Sequence, residues 1–101
     1  MLQVYANVKV KYGQLAAFNE AMVTVKRVME QNGWKLLGAW TTVIGDLHEV
    51  HDLWEVEDAN AVPAGFAGAS EDPDFLQAVA ELSKIADREV LSLVTKTPYS
   101  P

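Results

Sequence analysis

The chain has 101 residues, half of them hydrophobic and 22% charged, with a formal net charge of −6. That length suits one domain spanning residues 1–101, and that apolar share excludes a disordered chain. The negative balance argues against nucleic acid or an anionic membrane surface as partner, and the absence of cysteine excludes disulfides, thiol nucleophiles and thiolate metal sites.

The opening MLQVYANVKVK lacks the charged-then-apolar order of a signal peptide, and no stretch approaches the roughly 20 apolar residues that span a bilayer. The expectation is a soluble, cytoplasmic protein. Leu2 to Lys11 alternates strictly, with Leu2, Val4, Ala6, Val8 and Val10 on one side, which predicts a strand. Lys9 and Lys11 are expected on its wet edge. After Tyr12-Gly13 the period changes. Leu15, Phe18, Met22, Val25 and Met29 form a helical stripe that ends at the cap-like pair Asn32-Gly33.

Two strands follow, at roughly 34–44 and 47–57, folded on Gly45-Asp46. From Asp58 to Ser70 the alanines favour a helix, whereas Pro63, Gly65 and Gly68 would interrupt or shorten it. Asp72-Pro73 reads as an N-cap followed by proline at the first helical position, and Phe75, Val79, Leu82 and Ile85 continue as an apolar stripe. Glu89 to Lys96 forms the last strand, before a tail holding Pro98 and Pro101.

Strand, helix, strand, strand, helix, strand is the ferredoxin-like α+β order, with a four-stranded antiparallel sheet and both helices on one face. The strands here are apolar on both sides, so the second face also needs a cover. A homodimer paired sheet to sheet, as in a dimeric α/β barrel, is the simplest solution.

Within the hairpin, a loop of even length sets Trp40 against His51, Thr42 against Glu49, Gly38 against Leu53, Ala39 against Asp52 and Leu37 against Trp54. One face then gathers an indole, a hydroxyl, a carboxylate and an imidazole. Glu49 is the candidate catalytic base and His51 the candidate acid or base, with Trp40 as a flat wall for an aromatic ligand. The plainer alternative is that His51 stacks on Trp40 while Glu49 is solvated. Asp52 interrupts an apolar row, with Lys35 as its nearest basic candidate, and joins Trp54 and Asn7 as candidate ligand contacts. His48 and His51 lie three apart on a strand and point to opposite faces, so no metal site is expected, nor any cofactor. Met22 and Met29 belong to the core stripe.

GAWTTVIGDLHEVHDLWEVED resembles the signature of the NIPSNAP family, in which a Gly-x-Trp strand, an Ile-Gly-x-Leu turn and a Leu-Trp strand recur in this order. The tail TPYSP resembles that family's closing Thr-Pro-Phe-Ser-Pro, and Val10, Lys11 and Gly13 fit its opening. The resemblance implies a dimeric α/β barrel. It implies little about chemistry, although the wider superfamily includes cofactor-free monooxygenases, haem-degrading enzymes and isomerases. The chain departs from the family at Val4 and Ala6, where a Glu-x-Arg pair is frequent, and at Asp52, where a histidine is common. Pro63 and its neighbouring glycines replace an alanine- and arginine-rich helix.

Three functional expectations follow. The first is a homodimer holding a small apolar or aromatic metabolite between sheet and helices. The second is a cofactor-independent monooxygenase or isomerase, with Asn7 helping to hold an oxyanion. The third is a non-catalytic interaction protein whose apolar faces serve assembly alone.

Overall fold

The computed structural model describes all residues from Met1 to Pro101. Its elements are β1 (Leu2–Val10), α1 (Leu15–Gln31), β2 (Lys35–Thr41), β3 (Glu49–Val56), α2 (Ala61–Ala69), α3 (Pro73–Ile85) and β4 (Ala86–Val94). The four strands form one antiparallel sheet in the order β2-β3-β1-β4. Each helical crossover therefore joins strands separated by one strand, the split βαβ arrangement of a ferredoxin-like fold. No helix is long and apolar enough to cross a membrane.

Alternation puts Val4, Ala6, Val8 and Val10 of β1, with Val50, Trp54 and Val56 of β3, on the buried side of the sheet. Phe18, Val28 and Met29 of α1 close over them, and Phe75 of α3 completes the layer. Burial of this kind contributes on the order of 25 cal/mol per Å² of apolar surface, which is what holds helices to sheet. β1 lies inside the sheet, whose edges are β2 and β4. Lys9, on the side of β1 away from the helices, pairs with Asp46 of the β2–β3 loop and donates to the Leu47 carbonyl at 3.0 Å.

The segment left open between Asp58 and Ser70 contains a helix, α2, so the order is βαββααβ with three helices. Pro63 sits in its first turn, where backbone N–H groups have no intrahelical partner to lose. Gly65 serves close approach. Trp34 is buried against it, and a Cβ at position 65 would stand 2.7 Å from Trp34 Cδ1. Trp34 Nε1 also donates to the Ala61 carbonyl at 3.0 Å, and the indole meets Phe66 edge to face at 5.0 Å. α2 is thus docked through one tryptophan.

The ends of α1 and α3 follow local rules. Gly33 takes φ +95° just past α1, a left-handed conformation that suits glycine. Asp72 caps α3, accepting from the Asp74 N–H at 2.8 Å, with Pro73 as the first helical residue. α3 passes directly into β4 at Ala86, three residues before the expected start. The hairpin register agrees with expectation at Trp40–His51, Ala39–Asp52 and Gly38–Leu53. An irregularity between Leu36 and Gly38 then sets Leu36, not Leu37, opposite Trp54.

All three helices cover one side, leaving a slab of 38 × 36 × 17 Å whose other sheet face is bare. Trp40, Val90 and Val94 stand partly exposed there. We expect Gly65→Ala to lower stability by about 1–3 kcal/mol through overpacking on Trp34, despite alanine's better helix propensity. Urea unfolding would measure this, and an unchanged or raised midpoint would contradict it.

Candidate functional site

The candidate residues divide between the two faces of the sheet. Glu49, His51, Trp40 and Asn7 lie on the bare face, opposite the helices. Asp52 and Trp54, one register step away, lie on the helix-covered face and line a cleft.

On the bare face His51 is the hub of a polar network. Tyr5 Oη lies 2.6 Å from its Nδ1 and Thr42 Oγ1 lies 2.9 Å from its Nε2. Asn7 Nδ2 stands 3.4 Å from the same Nδ1 and can only donate, which favours an accepting Nδ1 and a proton on Nε2. Arg88 Nη2 donates to Asn7 Oδ1 at 3.1 Å and to Glu49 Oε1 at 2.7 Å. Glu49 is therefore ion-paired rather than free, and His51 is held on both nitrogens. The imidazole stacks on Tyr5, with centroids 6.1 Å apart, and not on Trp40. Trp40 folds back over Gly38, where a Cβ would stand 2.7 Å from its Cζ2. Each of these polar side chains has at least one partner within the network.

The helix-covered face holds a cavity of about 450 Å³, with 13 of its 18 lining residues hydrophobic. The register explains why it is there. Asp52 has Ala6 beside it on β1, and this small side chain, part of the cavity lining, leaves the space above the carboxylate unfilled. Trp34 and Trp54, 5.6 Å apart and edge to face, form one wall with Phe66; Phe75 and Leu82 of α3 face it.

Asp52 is only 4% exposed and no hydrogen bond or ion pair engages its carboxylate. Lys35 is not its partner. Burial, with repulsion from Glu89 added and a small opposing pull from His51, raises its pKa from 3.8 to about 6. Glu89 of β4 reaches the same cleft because its register partner, Val8, faces the helices. Trp34, Phe66 and Glu89 were not among the candidates from sequence. Glu89 carries the signal Asp52 carries, an acid sharing a strand face with Leu91 and Leu93, but a strand expected to begin at 89 hides it. No group of three or more His, Cys, Asp or Glu converges as a metal site would. His48 lies outside the strands at φ +72°, its ring 5.0 Å from that of Tyr12.

The Asp52 shift has a consequence for stability. The unfolded chain releases this proton near 3.8 and the folded chain near 6, so the folded state holds more protons between those values. Stability therefore falls as pH rises through that window, and above it the cost is about 3 kcal/mol. Asp52→Asn should accordingly stabilise the protein by about 1–3 kcal/mol at pH 7.5 and by little at pH 4. Chemical unfolding at the two pH values checks this; equal gains at both would contradict it.

Comparison with known proteins places this geometry. An uncharacterised NIPSNAP domain protein from Burkholderia xenovorans superposes with a TM-score of 0.86 at 18% identity, covering 100% of this chain and 99% of its own. A NIPSNAP family protein of unknown function from Agrobacterium tumefaciens gives 0.88 at 16% identity, with coverage of 100% and 92%. A protein named as a candidate antibiotic biosynthesis monooxygenase from Nitrosomonas europaea gives 0.71 at 13% identity, with coverage of 98% and 100%. At these identities the likeness establishes the ferredoxin-like fold alone. Curated proteins offer no match to the chain. The NIPSNAP family model, however, matches residues 3–101, and the chain belongs to the NIPSNAP family.

Proposed function

We propose that this protein works as a homodimer, paired sheet to sheet, in which each subunit holds a small apolar or aromatic metabolite between its sheet and helices. The observation that carries the reading is the cleft: about 450 Å³ of largely apolar space with one unpartnered carboxylate, Asp52, at its floor. That volume is within the range of roughly 300–1,000 Å³ typical of small-molecule sites. Pairing would cover Trp40, which is 57% exposed, along with the network around His51. Glu49, His51 and Asn7 then belong to the interface, and the ligand contacts are Asp52 and Trp54. A cysteine-free chain suits a reducing cytoplasm, which this reading includes.

A second reading, a cofactor-independent monooxygenase or isomerase, is favoured by the Asp52 pKa of about 6. A carboxyl poised there, beside bound substrate, can accept a proton from an activated carbon near neutral pH.

Light scattering should show a dimer, and Leu53→Asp at the centre of the bare face should yield a monomer. A monomeric native protein would sink the sheet pairing. Native mass spectrometry of the purified protein should reveal a co-purified small molecule. A cleft empty in every preparation and unable to take up aromatic compounds would favour a purely structural role.

A further inference from the structure

We propose that the cleft recognises a cation: a protonated amine or quaternary ammonium carried on a flat apolar body. This rests on the cleft being a ligand site and names the chemical class of what enters it.

Three independent observations converge. The first is the sign of the charge. Asp52, Asp87 and Glu89 all border the cavity, whereas the residues contributed by α1 and α3, among them Met22, Val25, Val79 and Ser83, carry no charge. One basic residue, Arg88, borders it too, but its guanidinium is committed to Asn7 and Glu49 on the other side of the sheet. The Arg88 register partner is Lys9, which faces that side as well.

The second is the state of Asp52. The residue is almost wholly buried, yet its carboxylate has no donor within the protein, and its open direction is the cavity. A protonated amine supplies both the missing donor and the missing countercharge, and a quaternary ammonium supplies the countercharge. A neutral apolar ligand would strip solvent from the carboxylate and return nothing, a neutral donor would return a hydrogen bond without countercharge, and an anion would meet like charge from two strands. The third observation is the wall. Trp34, Trp54, Phe66 and Phe75 surround the space, and aromatic faces attract cations, most strongly when water is excluded.

The test uses three probes of similar size on the full chain at pH 7.5: benzyltrimethylammonium, its uncharged carbon isostere neopentylbenzene, and phenylacetate. Binding is followed by NMR of the indole N–H signals. Trp34 and Trp54 report on the cleft, and Trp40, on the opposite face, serves as the control. The cation should bind at least about tenfold more tightly than the isostere, and phenylacetate most weakly. Asp52→Asn should remove most of the cation's advantage without weakening the isostere, which no longer has a carboxylate to desolvate. Glu89→Gln, at an exposed position where folding is not at stake, should reduce cation affinity in the same direction. If the isostere matches the cation, or phenylacetate binds best, while Trp34 and Trp54 still shift, the inference is overturned and the cleft remains a ligand site. Unchanged cation affinity in both variants also overturns it. If none of the probes moves Trp34 or Trp54 at millimolar concentration, the cleft reading falls and the inference with it.

Discussion

The indole of Trp34 sits where α1 ends, β2 begins and α2 docks. Its ring is buried between Trp54 of the sheet and Phe66 of α2, and its Nε1–H is satisfied by the Ala61 carbonyl. Its backbone N–H returns to Met29 at 3.1 Å, so the turn that leaves α1 is tied to the helix it leaves. A buried indole without that carbonyl would cost a desolvated donor, so the position of α2 is held by a polar requirement as well as by packing. Gly65 completes the arrangement by letting the α2 backbone come down onto the ring. Much of the cleft follows from this contact, because Trp34 holds α2 against the sheet while α3 lies farther along, and the space between them is not filled.

The sheet then separates two kinds of chemistry by a single residue of register. His51 and Asp52 are adjacent in the chain and point to opposite sides. One side carries a polar network in which Tyr5 and Thr42 hold His51 while Arg88 ties Asn7 to Glu49. The other carries an acid in apolar surroundings with nothing to pair it. The first arrangement stabilises a surface; the second costs folding energy and is the kind of expense that binding or catalysis explains. Trp40 and Trp54 divide in the same way, the first over Gly38 on the bare face and the second in the cleft wall.

Much of this was legible in the chain. Period-two alternation identified β1, the apolar stripe identified α1, and the Asp72-Pro73 pair marked the start of α3, because each is a local pattern with a local physical cause. The hairpin register was legible for Trp40, Ala39 and Gly38, since it follows from arithmetic around an even loop. It failed at Leu37, where an irregularity in β2 shifts the count. The helix at 61–69 is obscured in the sequence because glycines ordinarily interrupt helices, whereas here they answer to contacts with Trp34 and Asn32, just past the end of α1. Glu89 was missed for a related reason: its partner across the cleft is 37 residues away in sequence, and no window contains both.

The sequence by itself determined the alternating faces, the order of most elements and the family resemblance, because these depend on spacing and on short motifs. It also determined that Asp52 breaks an apolar row. Only the tertiary structure decided which face of the hairpin meets the helices, and so which candidates face a cleft and which face outward. That decision rests on packing between distant segments: α1 against β1 and β3, α2 against Trp34, β4 beside β1. Alternation tells two faces apart but does not say what each one meets. The small residue Ala6 beside Asp52 makes the same point, since it lies on another strand and only the assembled sheet turns it into room above a carboxylate.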